Sequence, residues 1–264
     1  MVSADGIVAV LDGEIAHCGD PMRDLGWLCT NSWRFGMSEL PVGGFGDYAA
    51  LVAGYEAGSG RTVSVAHLRF WEVYGSFWWA VGCLEMAEHF RSGPDQTVER
   101  PAIGRRSSEC QIDCVNLLIP GPATNMSSRG APDDDALPRI DELVTSVRDF
   151  LRGDIMAATT GRTNFLARVA ANSLDIVLRD LACGERARAQ ETVRLCNLCG
   201  TDDTLASLRW QLVEAIRADT ITLDKPELLA HLRATVVNEA LIDQPGYAGC
   251  VTALKLAGRN GNQQ

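Results

Sequence analysis

Between residues 139 and 241 the apolar side chains recur at helical spacing, with none of the alternation a half-buried strand requires. Ile140, Leu143, Val144, Val147, Phe150 and Leu151 form one stripe, and Pro138 is placed to start its helix. Phe165, Leu166, Val169, Ala170, Leu174, Val177 and Leu181 form a wider stripe that should end near Gly184. Residues 186–198 give a third, stopped at Gly200-Thr201-Asp202, and residues 205–216 and 226–241 supply two more. Stripes of this length joined by short connections predict a compact helical bundle. The tail after Gly249 ends in Gly, Asn and Gln and is expected to fray.

The first half reads differently. Residues 67–86 are apolar nearly all round, the pattern of a buried central helix. Trp27, Trp33, Trp71, Trp78 and Trp79 all precede residue 80, so this half should have its own aromatic core. An amphipathic helix is expected near 48–57. A further one over 100–118 carries Ile103, Cys110, Cys114 and Leu117 at helical spacing, with Arg105, Arg106 and Glu109 as its solvated or salt-bridged face. Between the halves, residues 119–138 hold four prolines and Asp133-Asp134-Asp135 with no hydrophobic period. That composition marks a linker, and its acids are read as solvated.

Residues 6–29 carry the densest chemistry. Asp5-Gly6 is a turn pair, and Ile7-Val8-Ala9-Val10-Leu11 reads as a buried strand that delivers Asp12 to a cleft. Glu14, His17, Asp20 and Asp24 follow within a dozen positions. Carboxylates this dense need metal, donors or water to fold together. Asp12 at a strand end suits a hard dication such as Mg2+. The plain reading of Asp20 and Asp24 is structural, Asp20 capping a helix at Pro21, and a lone His17 beside a loop is read the same way.

The run V-L-D-G-E-I-A-H-C-G-D-P-M-R-D-L-G-W-L-C resembles the metal-binding segment of the aminoglycoside phosphotransferase and choline-kinase-like family. The resemblance extends through Trp33-Arg34-Phe35-Gly36, Leu40-Pro41-Val42-Gly43-Gly44-Phe45 and Phe70-Trp71-Glu72-Val73 to about Leu118. It implies a kinase-like C-terminal lobe in which Asp12 holds the Mg2+ bound to ATP, while the Gly19-Asp20-Pro21 and Asp24-Leu25 pattern braces a catalytic loop. It departs from the family in three places. The eleven residues before Asp12 hold no His-Gly-Asp-x-x-x-x-Asn loop, no nucleotide lobe or phosphate-anchoring Lys precedes it, and Gly13 replaces a bulky aromatic. The later half, through Arg168-Val169-Ala170-Ala171-Asn172, the stretch 229–235 and Asp243-Gln244-Pro245, resembles an uncharacterised bacterial helical domain that accompanies such kinases and acyl-CoA dehydrogenases.

The remaining motifs carry less. Pro41 to Gly46 lacks the Lys-Ser/Thr of a phosphate loop and reads as a surface loop. Cys196 and Cys199 have the gap of a zinc pair without a second pair, so no structural zinc is expected. Arg168, Asn172, His231 and Arg233 either line a polar pocket or form an interhelical network. A formal charge of −10 argues against passive attraction to nucleic acid or anionic membranes. Nine irregularly spaced cysteines, with no signal peptide or membrane-spanning run, place the chain in the cytoplasm as reduced thiols.

The expectation is therefore a mainly α chain: a kinase-like C-lobe portion with a short β remnant over 1–118, a linker over 119–138, a helical bundle over 139–250, and a flexible tail over 251–264. Its expected function is that of an incomplete portion of an ATP-dependent phosphotransferase acting on a small-molecule hydroxyl of hydroxyacyl type. A partner chain would supply the missing lobe, or copies would associate as a homo-oligomer. The alternative is a non-catalytic helical interaction module built on a decayed kinase lobe.

Overall fold

The structure is a computed structural model that describes residues 1–3, 6–13, 16–123 and 138–260. It is mainly α, with a helical bundle and a short strand remnant. β1 (Val2–Ser3) and β2 (Gly6–Ile7) pair antiparallel, Val2 opposite Ile7. Then come α1 (Met22–Cys29), a 3-10 turn (Asn31–Trp33), α2 (Tyr48–Ser59), α3 (Val65–Ser92), α4 (Glu99–Arg105) and α5 (Ser107–Leu118). The second half holds α6 (Ile140–Phe150), a π-helical turn (Leu151–Ile155), α7 (Met156–Ala158), α8 (Gly161–Cys199), α9 (Leu205–Arg217), α10 (Pro226–Asp243) and α11 (Ala248–Asn260).

The expected buried strand over residues 7–11 is not formed. Only Gly6 and Ile7 pair, and the apolar run faces solvent, with Ile7 79% and Val10 89% exposed. β-branched residues signal a need for cover, and a two-residue pair offers none. Asp5 and Glu14 lie outside the described residues.

α3 is the central helix of the first half, packing on α1, α4 and α5. Its contact with α1 is close because Gly26 meets the Trp71 backbone: a Cβ at Gly26 would stand 2.5 Å from the Trp71 carbonyl carbon. The helix is not buried all round, however. Phe70, Phe77, Val81 and Leu84 form an exposed apolar stripe, while Leu68, Glu72, Ser76 and Cys83 point into the core. Trp27 links to Trp33 and Trp78, and Trp33 to Trp79, with centroids 5.0–5.4 Å apart. Trp79 thus serves the aromatic core, while Trp78, 39% exposed, packs edge-on against it from the surface.

The helix expected over 100–118 is two helices, α4 and α5, that meet at Arg106. The bend lets Gly104 press against Ala87, where a Cβ would stand 2.6 Å from the alanine side chain. Conversely, the two helices expected around Gly184 are one, α8. Glycine within a helix costs about 1 kcal/mol, but here its missing side chain makes room for the Asp180–Arg188 ion pair of 3.1 Å. α8 ends at Gly200, φ 71°, as the left-handed cap expected there.

α11 runs from Ala248 to Asn260, with Cys250 and Ala253 fully buried, and residues 261–264 of the expected tail lie outside the described ones. They join Ile112 and Val115 of α5 and Val236, Val237 and Ala240 of α10 in one apolar cluster. Burial of these small side chains, at about 0.8 kcal/mol per methylene, ties the start of α11 to α5 and α10.

That cluster spans the expected linker, whose residues 124–137 lie outside the described ones. Further ties cross the same boundary. Arg233 donates to the carbonyls of Ile119 (3.0 Å) and Pro122 (3.1 Å). Asn116 donates to Gly249 O at 2.9 Å, and Arg105 pairs with Asp243 at 2.7 Å. Cleaving a protease site engineered into 124–137 is therefore expected to leave both fragments in one particle by light scattering. Separation of the fragments under native conditions would contradict the shared core.

Candidate functional site

Asp12 lies on an open cleft of about 550 Å3 between residues 10–13 and 16–21, α1 and α3. Its backbone is left-handed, φ 59°, a conformation Asp tolerates better than most residues. The carboxylate is exposed and makes no hydrogen bond or ion pair among the described residues. Asp24 stands in the first turn of α1, where a negative charge suits the helix dipole, and is likewise exposed.

Asp20 forms the best-organised part of the cleft. Its Oδ1 accepts the Met22 N–H at 2.9 Å, capping α1 as its position before Pro21 implies. Its Oδ2 meets His67 Nε2 at 2.8 Å and accepts the Trp71 indole N–H at 3.3 Å. The Met22 amide above all holds the carboxyl below its ordinary pKa against the opposing effect of desolvation, and Trp71 and His67 add to the lowering. His17 contacts Arg23 at 2.8 Å, and the Arg23 guanidinium lies 5.7 Å from the Tyr74 ring centroid. Sequence reasoning missed His67, because nothing in the spacing links residues 47 positions apart on different elements.

Asp12 offers one carboxylate without a partner among the described residues, whereas Mg2+ takes one or two carboxylates and completes its shell with phosphate and water oxygens. Among the described residues no group of three His, Cys, Asp or Glu could hold a metal.

The other sequence candidates do not converge. Arg168 is exposed and stacks on Phe165, 5.5 Å from the centroid, while Asn172 accepts from Arg152 at 3.2 Å. His231 is buried behind Arg194, and burial followed by that cation pushes its pKa down and keeps it neutral. Arg233 clamps the chain leaving α5. Cys196 and Cys199 donate to different acceptors, Asp202 Oδ1 at 3.7 Å and Leu208 O at 3.9 Å. A second cavity, about 390 Å3, lies between α5, α8 and α10. Three of its arginines are paired: Arg105 with Asp243, Arg188 with Asp180, and Arg209 with Glu191 through two 2.7 Å bonds. Those pairings give it a structural character. No described helix is long and apolar enough to cross a membrane.

Residues 157–247, about a third of the chain, match a family described as a domain of unknown function, DUF6285. The match begins at α7 and takes in α8, α9 and α10. No curated protein and no solved structure matches the chain.

Proposed function

We propose that these residues form part of an ATP-dependent phosphotransferase acting on a small-molecule hydroxyl of hydroxyacyl type, and that a segment outside these 264 residues completes its active site. The observation that carries this reading is the uncovered apolar run at residues 7–11, which leads into Asp12 and whose Val10 and Leu11 line the same cleft. Contiguous apolar surface of this kind marks a docking site on a soluble protein. Its position, flanking the residue that resembles a kinase metal ligand, fits a lobe awaiting its catalytic loop and nucleotide lobe.

In this reading Asp12 would hold Mg2+, which when bound spreads the charge of the phosphates. Asp20, fixed by the Met22 amide and by His67 and Trp71, keeps the cleft wall and the start of α1 in register with α3. Phosphoryl transfer also needs a carboxylate to orient the hydroxyl and a cation to anchor the phosphates, and the cleft supplies neither in an unpaired, buried form.

The isolated chain is accordingly expected to show no saturable Mg-ATP binding below about 1 mM by calorimetry, a weak-binding limit of roughly 4 kcal/mol, and no ADP release. Adding a polypeptide that carries the His-Gly-Asp loop should restore binding, and Asp12→Asn should abolish the restored binding. Micromolar affinity in the isolated chain, or restoration indifferent to Asp12→Asn, would overturn the proposal. Micromolar affinity in the isolated chain would point to a nucleotide site elsewhere in it, whereas no restoration by such a polypeptide would favour the alternative, a non-catalytic interaction module.

A further inference from the structure

The cavity of about 390 Å3 between α5, α8 and α10 has the size of a small-molecule site. Ser107 and Ser108 of α5 and Gly184 and Ala187 of α8 add little bulk to its walls. Thr235, Asn238, Glu239 and Ile242 present one face of α10 to it, at 3-1-3 spacing. The three ion pairs described above brace this frame, and they leave one arginine and one acid of the wall, Arg194 and Glu239. Arg194 makes no ion pair among the described residues. One of its donors reaches Thr235 Oγ1 at 3.2 Å, and its buried Nε has no partner. Glu239 makes no hydrogen bond among the described residues and is 42% exposed. The cation facing it, Arg209, stands 4.0 Å away with its guanidinium already on Glu191. Thr235, which anchors Arg194, is one turn before Glu239 on α10, about 6 Å along the axis. Both charges therefore border the same space.

We propose that this cavity binds a small zwitterion, an α-amino acid, with its carboxylate on Arg194 and Thr235 and its ammonium on Glu239. Charge selects the class. The arginines and acids of the wall balance one for one, so a ligand of net charge would leave one sign uncompensated in a partly buried space. A phosphate dianion fits worst, because Glu191, 5% exposed, lies one turn from Arg194 on α8 and Glu239 borders the same cavity. A molecule with one carboxylate and one ammonium satisfies both unpaired groups, and an arginine grips a carboxylate well. Asn238, buried on the same face of α10 and without a hydrogen bond among the described residues, adds a neutral amide to the site. None of these groups borders the Asp12 cleft, and the proposal does not rest on the reading of that cleft.

The test is calorimetric titration of the full chain with each standard amino acid, followed by hydrogen exchange with the tightest binder. At least one amino acid should bind with a Kd below about 1 mM. Its analogues lacking the amino group or the carboxylate, and inorganic phosphate, should each bind at least about tenfold more weakly. Arg194→Gln and Glu239→Gln should each weaken binding about 10–100-fold, the loss when a hydrogen bond to a charged group is removed, with unchanged circular dichroism. In the wild type, ligand-dependent protection should fall on residues 187–194 and 235–242, a readout that stands even if a variant misfolds. The proposal is overturned if no amino acid binds below about 1 mM, or if an analogue or phosphate binds as tightly as the amino acid. Binding indifferent to both variants, or protection confined to residues 10–24, overturns it too.

Discussion

Glu72→Ala is expected to destabilise the protein by about 3–5 kcal/mol, the usual cost of stranding one member of a buried ion pair. Glu72 lies within α3 at 2% exposure, where burial pushes its pKa up. It persists there because Arg34 donates at 3.0 Å, Tyr48 OH lies 3.0 and 3.1 Å from its two oxygens, and Arg69 approaches to 3.5 Å. Truncation would leave Arg34, whose Nε already lacks a partner, with only the Cys29 carbonyl at 2.7 Å, and would orphan the Tyr48 hydroxyl. Urea denaturation at pH 7 measures the loss. Glu72→Gln, which keeps an acceptor for Tyr48, should recover part of it. A change below about 1 kcal/mol in the alanine variant would show that the cluster contributes little.

The second large effect is in the opposite direction and depends on pH. Asp113 is buried, and desolvation raises its pKa to about 7 although Tyr247 donates at 2.6 Å and Asn31 at 2.8 Å. In the unfolded chain the group titrates near 3.9. Between those values the folded state binds more protons, so stability falls as pH rises from about 4 to about 7 and levels off above. Three pKa units correspond to about 4 kcal/mol. Asp113→Asn presents a neutral group of the same shape, with an oxygen for Asn31 and an amide for the Tyr247 oxygen. The variant should match the wild type near pH 4.5 and exceed it by about 2–4 kcal/mol at pH 8. Glu72, Glu109 and Asp243 are also shifted upward by burial, so some slope should remain. Equal slopes in wild type and variant, from denaturation at pH 4.5, 6 and 8, would refute the assignment.

These two clusters also show where sequence reading stopped. The bundle helices were legible because amphipathic periodicity is local: Ile140 to Leu151 announces a helix without reference to any other segment. Asp113 joins residues 82 and 134 positions away, and no spacing rule connects such partners. Gly184 was misread as a terminus because its effect depends on Asp180 and Arg188 packing over it. The run at residues 7–11 was misread because composition states what a segment needs, whereas burial depends on what is present to cover it. Of the candidate cleft, the capping role of Asp20 was legible from helix-capping chemistry, while Asp12 was singled out by the resemblance alone. His67 was not legible, since only the packing of α3 on α1 brings it to Asp20.

α8 has a consequence for the hydrodynamics of the molecule. Its 39 residues form a rod of about 58 Å. A compact chain of this length has a radius of gyration near 18 Å, and a sphere of that radius of gyration is only about 47 Å across. The rod must overhang such a sphere, so the particle tumbles as an elongated body with more drag than its mass implies. On a gel-filtration column calibrated with globular standards, a single copy should elute early, toward the position of a pair. Association of this protein therefore has to be read from scattered light, which reports mass without reference to shape.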